Sequence, residues 1–274
     1  MAGYRLFEHA LQAELYLRFR PEYPKETIET IINFLTKKKK KPLKLAIDIG
    51  CGGGQSTRPL ASHFEKVIGF DVSEAQVENA QKGDNAPNVE YRIGGGEKID
   101  LPNSCVDLIT CAQSAHWFNY PIFCKEADRV LTPQGCLALY GYGCPIISVP
   151  DKEIEDKLNA EQNQLYSGTL GEYWADRRKD IENHYADFVI PYDENERVDS
   201  LEISKPVTVS GLIGYLRTWS AYWTYVEKHP HSRDPLVDHQ NKIMEILNVD
   251  TSPDTTPLTV KAPVFLLQGR KPTS

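Results

Sequence analysis

Residues 43–71 constrain this chain more than any other stretch. They read LKLAIDIGCGGGQSTRPLASHFEKVIGFD. An apolar, β-branched run at 45–49 has the length and composition of a buried strand. Gly50, Gly52, Gly53 and Gly54 then crowd a short turn. Residues 55–64 read as a helix, and 66–70 as a second strand ending at Asp71. Strand, glycine turn, helix, strand, acid is the layout of a unit that binds an adenosyl ligand. The glycines let backbone approach the ligand, and the acid accepts both ribose hydroxyl hydrogens. Asp71 lies twenty-one positions after Gly50, close to the spacing this geometry requires.

A dinucleotide site calls for G-x-G-x-x-G, and here the third glycine position is Gln55. The pattern is instead Asp48-x-Gly50-x-Gly52-x-Gly54. An acid at the strand end suits a ligand carrying an ammonium group and repels a pyrophosphate. This resembles motif I of the class I methyltransferases that use S-adenosylmethionine (SAM). That resemblance puts Asp48, Gly50, Cys51, Gly52, Gln55, Asp71 and Val72 around the cofactor. A nicotinamide or flavin site, and a glycine loop with no ligand, are the competing readings.

The chain has 274 residues, of which 41% are hydrophobic and 25% charged, ordinary for a globular α/β enzyme. No apolar run approaches the roughly 20 residues that cross a bilayer. The N-terminus is amphipathic but lacks a signal-peptide core. A net charge of −7 argues against nucleic acid as a partner. The six cysteines form no C-x-x-C pair, and most sit in apolar contexts, as expected of reduced thiols in the cytoplasm. Cys51 reads as a small filler, and no metal site is expected.

In chain order, an N-terminal helix is stopped by Pro21 and Pro24, and a second helix is expected at 25–35. Residues 1–42 are read as a lid, whose Tyr16, Arg20 and Tyr23 close over cofactor or substrate. The five lysines at 37–41 read as a solvated connector. Ser73 caps a helix to residue 82, and 88–93 is a third strand. In class I methyltransferases the turn after that strand holds the adenine edge, which implicates Gly96 and Glu97. The fourth strand, 106–112, runs into Gln113-Ser-Ala-His116-Trp117-Phe118. Ligands in an open parallel sheet lie beyond the strands' carboxyl ends at the switch in strand order. Residues 112–118 should therefore line the transfer site, with Gln113 toward the cofactor. His116 is either a general base or an orienting histidine, and Trp117 an apolar wall. A helix at 123–131 and a strand at 136–142 complete a doubly wound α/β core over residues 43–142.

Residues 143–235 read as a substrate-side insertion. They hold a polar helix (151–166), an aromatic turn containing Trp174, and an exposed charged run (176–184). Two short strands (186–191, 200–205) and a long aromatic helix (207–227) follow. A helix at 237–247 and an antiparallel edge strand at 260–269 end the chain.

Several stretches together resemble the fungal trans-aconitate and cantharidin-detoxifying methyltransferase group. They are Tyr16-x-x-x-Arg20-Pro21-x-Tyr23-Pro24, the Asp48–Gly54 loop, Ala115-His116-Trp117-Phe118, Tyr140-Gly-Tyr142, Gly171-x-Tyr173-Trp174 and Tyr215-Leu-Arg217-Thr-Trp219-Ser220-Ala221-Tyr222. The chain departs from that pattern between residues 179 and 204. The resemblance implies a single domain with a seven-stranded, mostly parallel sheet, acting as monomer or homodimer on a small carboxylic acid, with SAM as cofactor. Methyl transfer is an in-line displacement that requires alignment above all. A carboxylate is already an anion at neutral pH and needs no base. It needs cationic donors, best supplied as arginine forks. His116, Arg217 and Tyr23 form the expected catalytic set, with Arg20 as a further cation. Trp117, Tyr142, Trp174, Trp219 and Tyr222 form the expected substrate wall. Methylation of a hydroxyl, amine or thiol with His116 as base is the alternative enzymatic reading. A SAM-binding partner protein without activity is the alternative outside catalysis.

Overall fold

The computed structural model describes Leu15 and residues 18–273. Among these, helix α1 (Lys25–Thr36) follows Pro24, whose extended backbone starts it. Its Ile28, Ile31, Ile32 and Leu35 repeat at helical spacing and are buried. They pack under the sheet against Ala46, Val67, Leu108 and Tyr140, so α1 is a layer of the core and not a lid. Strands β1 (Leu43–Ile49), β2 (Phe64–Asp71), β3 (Val89–Ile93), β4 (Val106–Ala112) and β5 (Leu131–Tyr142) pair in parallel. Helix α2 (Glu74–Lys82) lies between β2 and β3 in the chain. Helix α3 (Tyr120–Val130) buries Phe123, Ala127 and Val130 against the face opposite α1.

The sheet runs β3–β2–β1–β4–β5–β8, where β8 is Pro257–Arg270, and β7 (Glu194–Thr208) pairs with β8. These seven strands form the expected mostly parallel sheet. A short eighth, β6 (Ile146–Ser148), pairs with Thr259–Lys261 of β8. The last strand is antiparallel as expected, yet it lies between β5 and β7 and not at the edge. Its Val264–Leu267 run is buried on both faces, the signature of an interior strand. The strand expected at 200–205 is part of the fifteen-residue β7, and none forms at 186–191.

The cap comprises α4 (Lys152–Asn163), a π-helical turn (Gln164–Thr169), α5 (Arg178–Glu182), α6 (Val209–Leu216), α7 (Ser220–Lys228) and α8 (Pro235–Leu247). The helix expected over 207–227 is two helices, broken at Arg217–Trp219. Thr218 Oγ1 donates to the Tyr215 carbonyl at 2.7 Å, and Trp223 Nε1 to that of Arg217 at 2.8 Å. The break lets Trp219 bury fully against Tyr166 and Trp174. The helix expected at 55–64 is reduced to turns and a 3₁₀ stretch, Arg58–Leu60. There Ser56 and Thr57 turn their hydroxyls inward, and Pro59 offers no backbone donor.

The lysine run is the solvated connector expected, exposed at all but Lys39, and it is pinned at two points. Lys38 pairs with Glu194 at 2.7 Å and Lys39 with the buried Asp107 at 2.9 Å. Nearby, the fully buried Arg270 donates to the carbonyls of Phe34, Leu35 and Gln134 and to Glu194. It thereby satisfies the Phe34 carbonyl in the last turn of α1 and reinforces that of Leu35, which also accepts from Lys39 N. Arg270→Met should leave the Phe34 carbonyl unpaired and Glu194 without this partner, and cost about 3 kcal/mol. Urea denaturation checks this through a lower midpoint at unchanged slope; an unchanged midpoint would contradict it.

Candidate active site

The chain runs from β1 out to β2 and β3, then returns to place β4 on β1's other flank. A crevice must open between the carboxyl ends of β1 and β4. There lies a cleft lined by all of these ends and by the cap.

Its floor is the glycine loop. Gly50, Gly52 and Gly54 have φ of +72°, +51° and +83°, the left-handed region that glycine enters without strain. A Cβ on Gly50 would meet that of Ser114 at 2.4 Å, so no other residue fits. Asp71 lines the cleft, its Oδ2 accepting from Gly52 N at 2.8 Å and its Oδ1 from Ser73 N at 2.9 Å. Burial raises its pKa, while the amides of Ser73, Gly52 and Val72 pull it back down. Val72 lies on the rim, largely exposed. Gln113 adopts φ +54° and donates from Nε2 to the Tyr142 carbonyl at 2.9 Å. Its Oε1 and that of Gln76 are buried without a partner among the described residues, and both residues line the cleft. Two orphaned acceptors beside an acid suit a ligand rich in donors. An ammonium group, a ribose diol and an adenine amine supply such donors.

Other sequence-predicted cofactor residues sit elsewhere. Asp48 is fully buried behind the loop, its carboxylate taken by Ser56, Thr57 and Thr110 at 2.6, 2.7 and 2.9 Å. Cys51 points back into a cluster with Val77, Ala80 and Tyr91. Gln55 opens onto a separate cavity beside α1. After β3 the cleft is lined by Gly94 and Gly95, not by Gly96 and Glu97. Gly96 is packed against Phe123 and Ile49, and Glu97 is drawn away to accept from Asn119 N at 2.9 Å. Tyr16 lies outside the described residues.

The far wall holds His116, Trp117, Phe118, Trp174 and two arginines, Arg20 and Arg178. Arg20 Nη1 donates to Tyr142 Oη at 2.9 Å, and its guanidinium lies 5.4 Å from the Tyr215 ring centre. Tyr142 therefore backs the cleft through Arg20. Arg178 Nε donates to Tyr166 Oη at 3.0 Å, and its guanidinium lies over the Trp174 ring at 5.0 Å. Tyr166 in turn bonds Glu182, and Trp174 Nε1 bonds the Tyr166 carbonyl. The two terminal nitrogens of Arg178 make no hydrogen bond among the described residues. Arg177 bridges to the carbonyls of His116 and Phe118 at 3.0 and 2.9 Å, tying α5 to the β4 turn.

Arg217, the arginine singled out from sequence, is outside the cleft. It pairs with Asp234 at 2.8 Å, as Tyr222 does at 3.1 Å, fastening α6 and α7 to the start of α8. Trp219 is cap core. Tyr23 stacks edge-on against Tyr140, ring centres 4.7 Å apart, below the cleft. Sequence reading missed Arg178 because it sits in a run of charges taken as exposed. The signal was present in Ile181 and Tyr185, spaced like one buried helix face from Arg178.

His116 is 5% exposed, and its Nδ1 meets Tyr185 Oη at 2.8 Å. Burial, with Arg178 and Arg177 adding to it, lowers its pKa to about 3. The imidazole is thus neutral at physiological pH.

A doubly wound sheet with a glycine loop, a strand-end acid and this cleft defines a class I SAM-type fold. Comparison agrees. Residues 47–139 match the methyltransferase domain family. A Dictyostelium discoideum protein named as a methyltransferase is 37% identical over 93% of this chain and 92% of its own. A Saccharomyces cerevisiae protein named as an S-adenosylmethionine-dependent methyltransferase is 25% identical over 93% and 94%. A solved methyltransferase structure from Anaeromyxobacter dehalogenans superposes with a TM-score of 0.73, at 29% identity, over 93% of this chain and 99% of that one. The chain belongs to the S-adenosylmethionine-dependent methyltransferases.

The buried His116 carries a pH signature. Its folded pKa lies below the unfolded value of about 6.5, so between pH 6.5 and 3 only the unfolded chain takes up this proton. Stability therefore falls as pH falls through that window. Between pH 7 and 5 the wild type should lose about 2 kcal/mol more than His116→Gln. Urea midpoints at the two pH values read the difference; equal losses would contradict a neutral buried imidazole.

Proposed function

We propose that this methyltransferase esterifies a carboxylate of a small organic acid. The observation that carries the reading is Arg178, a fixed guanidinium on the cleft wall, whose two terminal nitrogens bond no group among the described residues, beside a neutral histidine. Bound SAM supplies an electrophilic methyl group on its sulfonium. Of the residues that line the cleft, Asp71 would accept the ribose hydroxyls, Val72 and Phe118 would hold the adenine, and Arg20 would take the cofactor's own carboxylate. Arg178 then holds the acceptor's carboxylate with fork geometry, and Trp117 and Trp174 wall it from water. One carboxylate oxygen contributes the electron pair of the new C–O bond. The pair of the broken C–S bond returns to sulfur, and no proton has to move. Alignment supplies the rate.

A hydroxyl, amine or thiol acceptor would need a base. An imidazole whose conjugate acid has a pKa of about 3 is a poor one at neutral pH.

Two substitutions test the assignment. Arg178→Ala should raise KM for a di- or tricarboxylic acid by about 10- to 100-fold, the worth of charge-assisted hydrogen bonds. The Kd for SAM should stay within about twofold of wild type. Arg217→Ala is the control and should leave both constants in place. Transfer from methyl-labelled SAM, scored as base-labile methanol, is the assay. Equal KM values for Arg178→Ala and wild type would end the proposal. Separately, Asp71→Asn should weaken SAM by about 10- to 100-fold in titration calorimetry.

A further inference from the structure

His116 lines the cleft, and the structure reveals what holds it from behind. Tyr185 is completely buried, stacked on Phe188 with ring centres 4.5 Å apart and edge-on to Phe265 at 5.0 Å. It follows His184, and the two residues adopt φ of +50° and +55°. Consecutive non-glycine residues in the left-handed region are uncommon and strained. The strained turn delivers one phenol to one imidazole nitrogen.

The proton on that contact can be assigned. Burial pushes the Tyr185 hydroxyl well above its ordinary range, so it keeps its hydrogen. The hydroxyl makes no other side-chain hydrogen bond among the described residues, and the backbone groups that reach it, the amides of His116 and Ala115, are donors and accept nothing. If His116 Nδ1 carried the hydrogen, the phenolic O–H would be buried without an acceptor, a costly arrangement. The phenol therefore donates to Nδ1. Nε2 has no hydrogen-bond partner among the described residues. Arg177 and Arg178 are the charged groups facing the ring, and both oppose a second proton on it.

We propose that Tyr185 locks His116 as the Nε2–H tautomer, so that the imidazole serves in the cleft as a hydrogen-bond donor to the acceptor's carboxylate. The donor role rests on the carboxylate reading above; the tautomer does not. Arg178 and His116 would grip one carboxylate from two sides, with Tyr185 as a positioning residue.

The test is long-range ¹H–¹⁵N NMR on full-length protein labelled at histidine, with His116 assigned by loss of its signals in His116→Gln. The expected result is the Nε2–H pattern, unchanged from pH 5.5 to 8. An Nδ1–H pattern, or titration near pH 6.5, overturns the lock. Tyr185→Phe should give mixed tautomers, and should raise KM for the acid about tenfold with the Kd for SAM unchanged. Wild-type NMR alone decides the lock if that variant folds poorly. An Nε2–H pattern in a protein that methylates no acid would overturn the donor role and the carboxylate reading while leaving the lock in place.

Discussion

One carboxylate with no access to water holds the cofactor end of this enzyme together. Asp48 sits near the end of the central strand, and its acid is raised in pKa by burial and pulled back by three hydroxyls. Two of them, Ser56 and Thr57, belong to the loop, and the third, Thr110, to the neighbouring strand β4. A buried acid without such partners would be costly. With them, it fastens the turn to the two strands that flank the crevice. Gly50–Gly54 then has one conformation, with left-handed glycines placed where ligand and backbone meet. The same hydrogen bonds draw Ser56 and Thr57 out of the helix that residues 55–64 would otherwise start.

The cap answers this rigid floor with a second organised layer. Its aromatic core, Tyr166, Trp174 and Trp219, is more than packing. Tyr166 and Trp174 together fix the guanidinium of Arg178 by one hydrogen bond and one ring face. Arg177, the next residue back, reaches across to the carbonyls of the His116 turn. Floor and cap are thereby joined at the point where cationic and neutral polar groups face each other. A low-dielectric wall of tryptophans makes each of these charges count for more than it would in water.

The core was largely legible because its signals are local. A short apolar run ended by glycines after five residues is too brief for a helix and reads as a buried strand. Ser73 announces a helix start, and Asp71 follows at the spacing of one βαβ turn. What misled sequence reading were positions where a tertiary partner overrides the local pattern. The run 207–227 reads as one helix, yet burying Trp219 breaks it at Arg217–Trp219 and Val207 and Thr208 end the preceding strand. Residues 176–184 look solvated, yet Arg178 and Ile181 turn inward. Gly96 and Glu97 were displaced from the cleft by two positions, because Phe123 packs on one and Asn119 captures the other.

The sequence by itself determined the class of fold, the cofactor's strand-end acid and the glycine floor. These depend on residues within about thirty positions of one another, linked by chain geometry. The tertiary structure decided which arginine reaches the cleft, since Arg178 and Arg217 differ only in what lies around them. Asp234 neutralises one at the far side of the cap, while Tyr166 and Trp174 hold the other open. It also decided the protonation of His116, because burial and two neighbouring guanidinium groups come from segments some sixty residues away. Electrostatic environment is a sum over space, and a sequence lists neighbours along the chain alone.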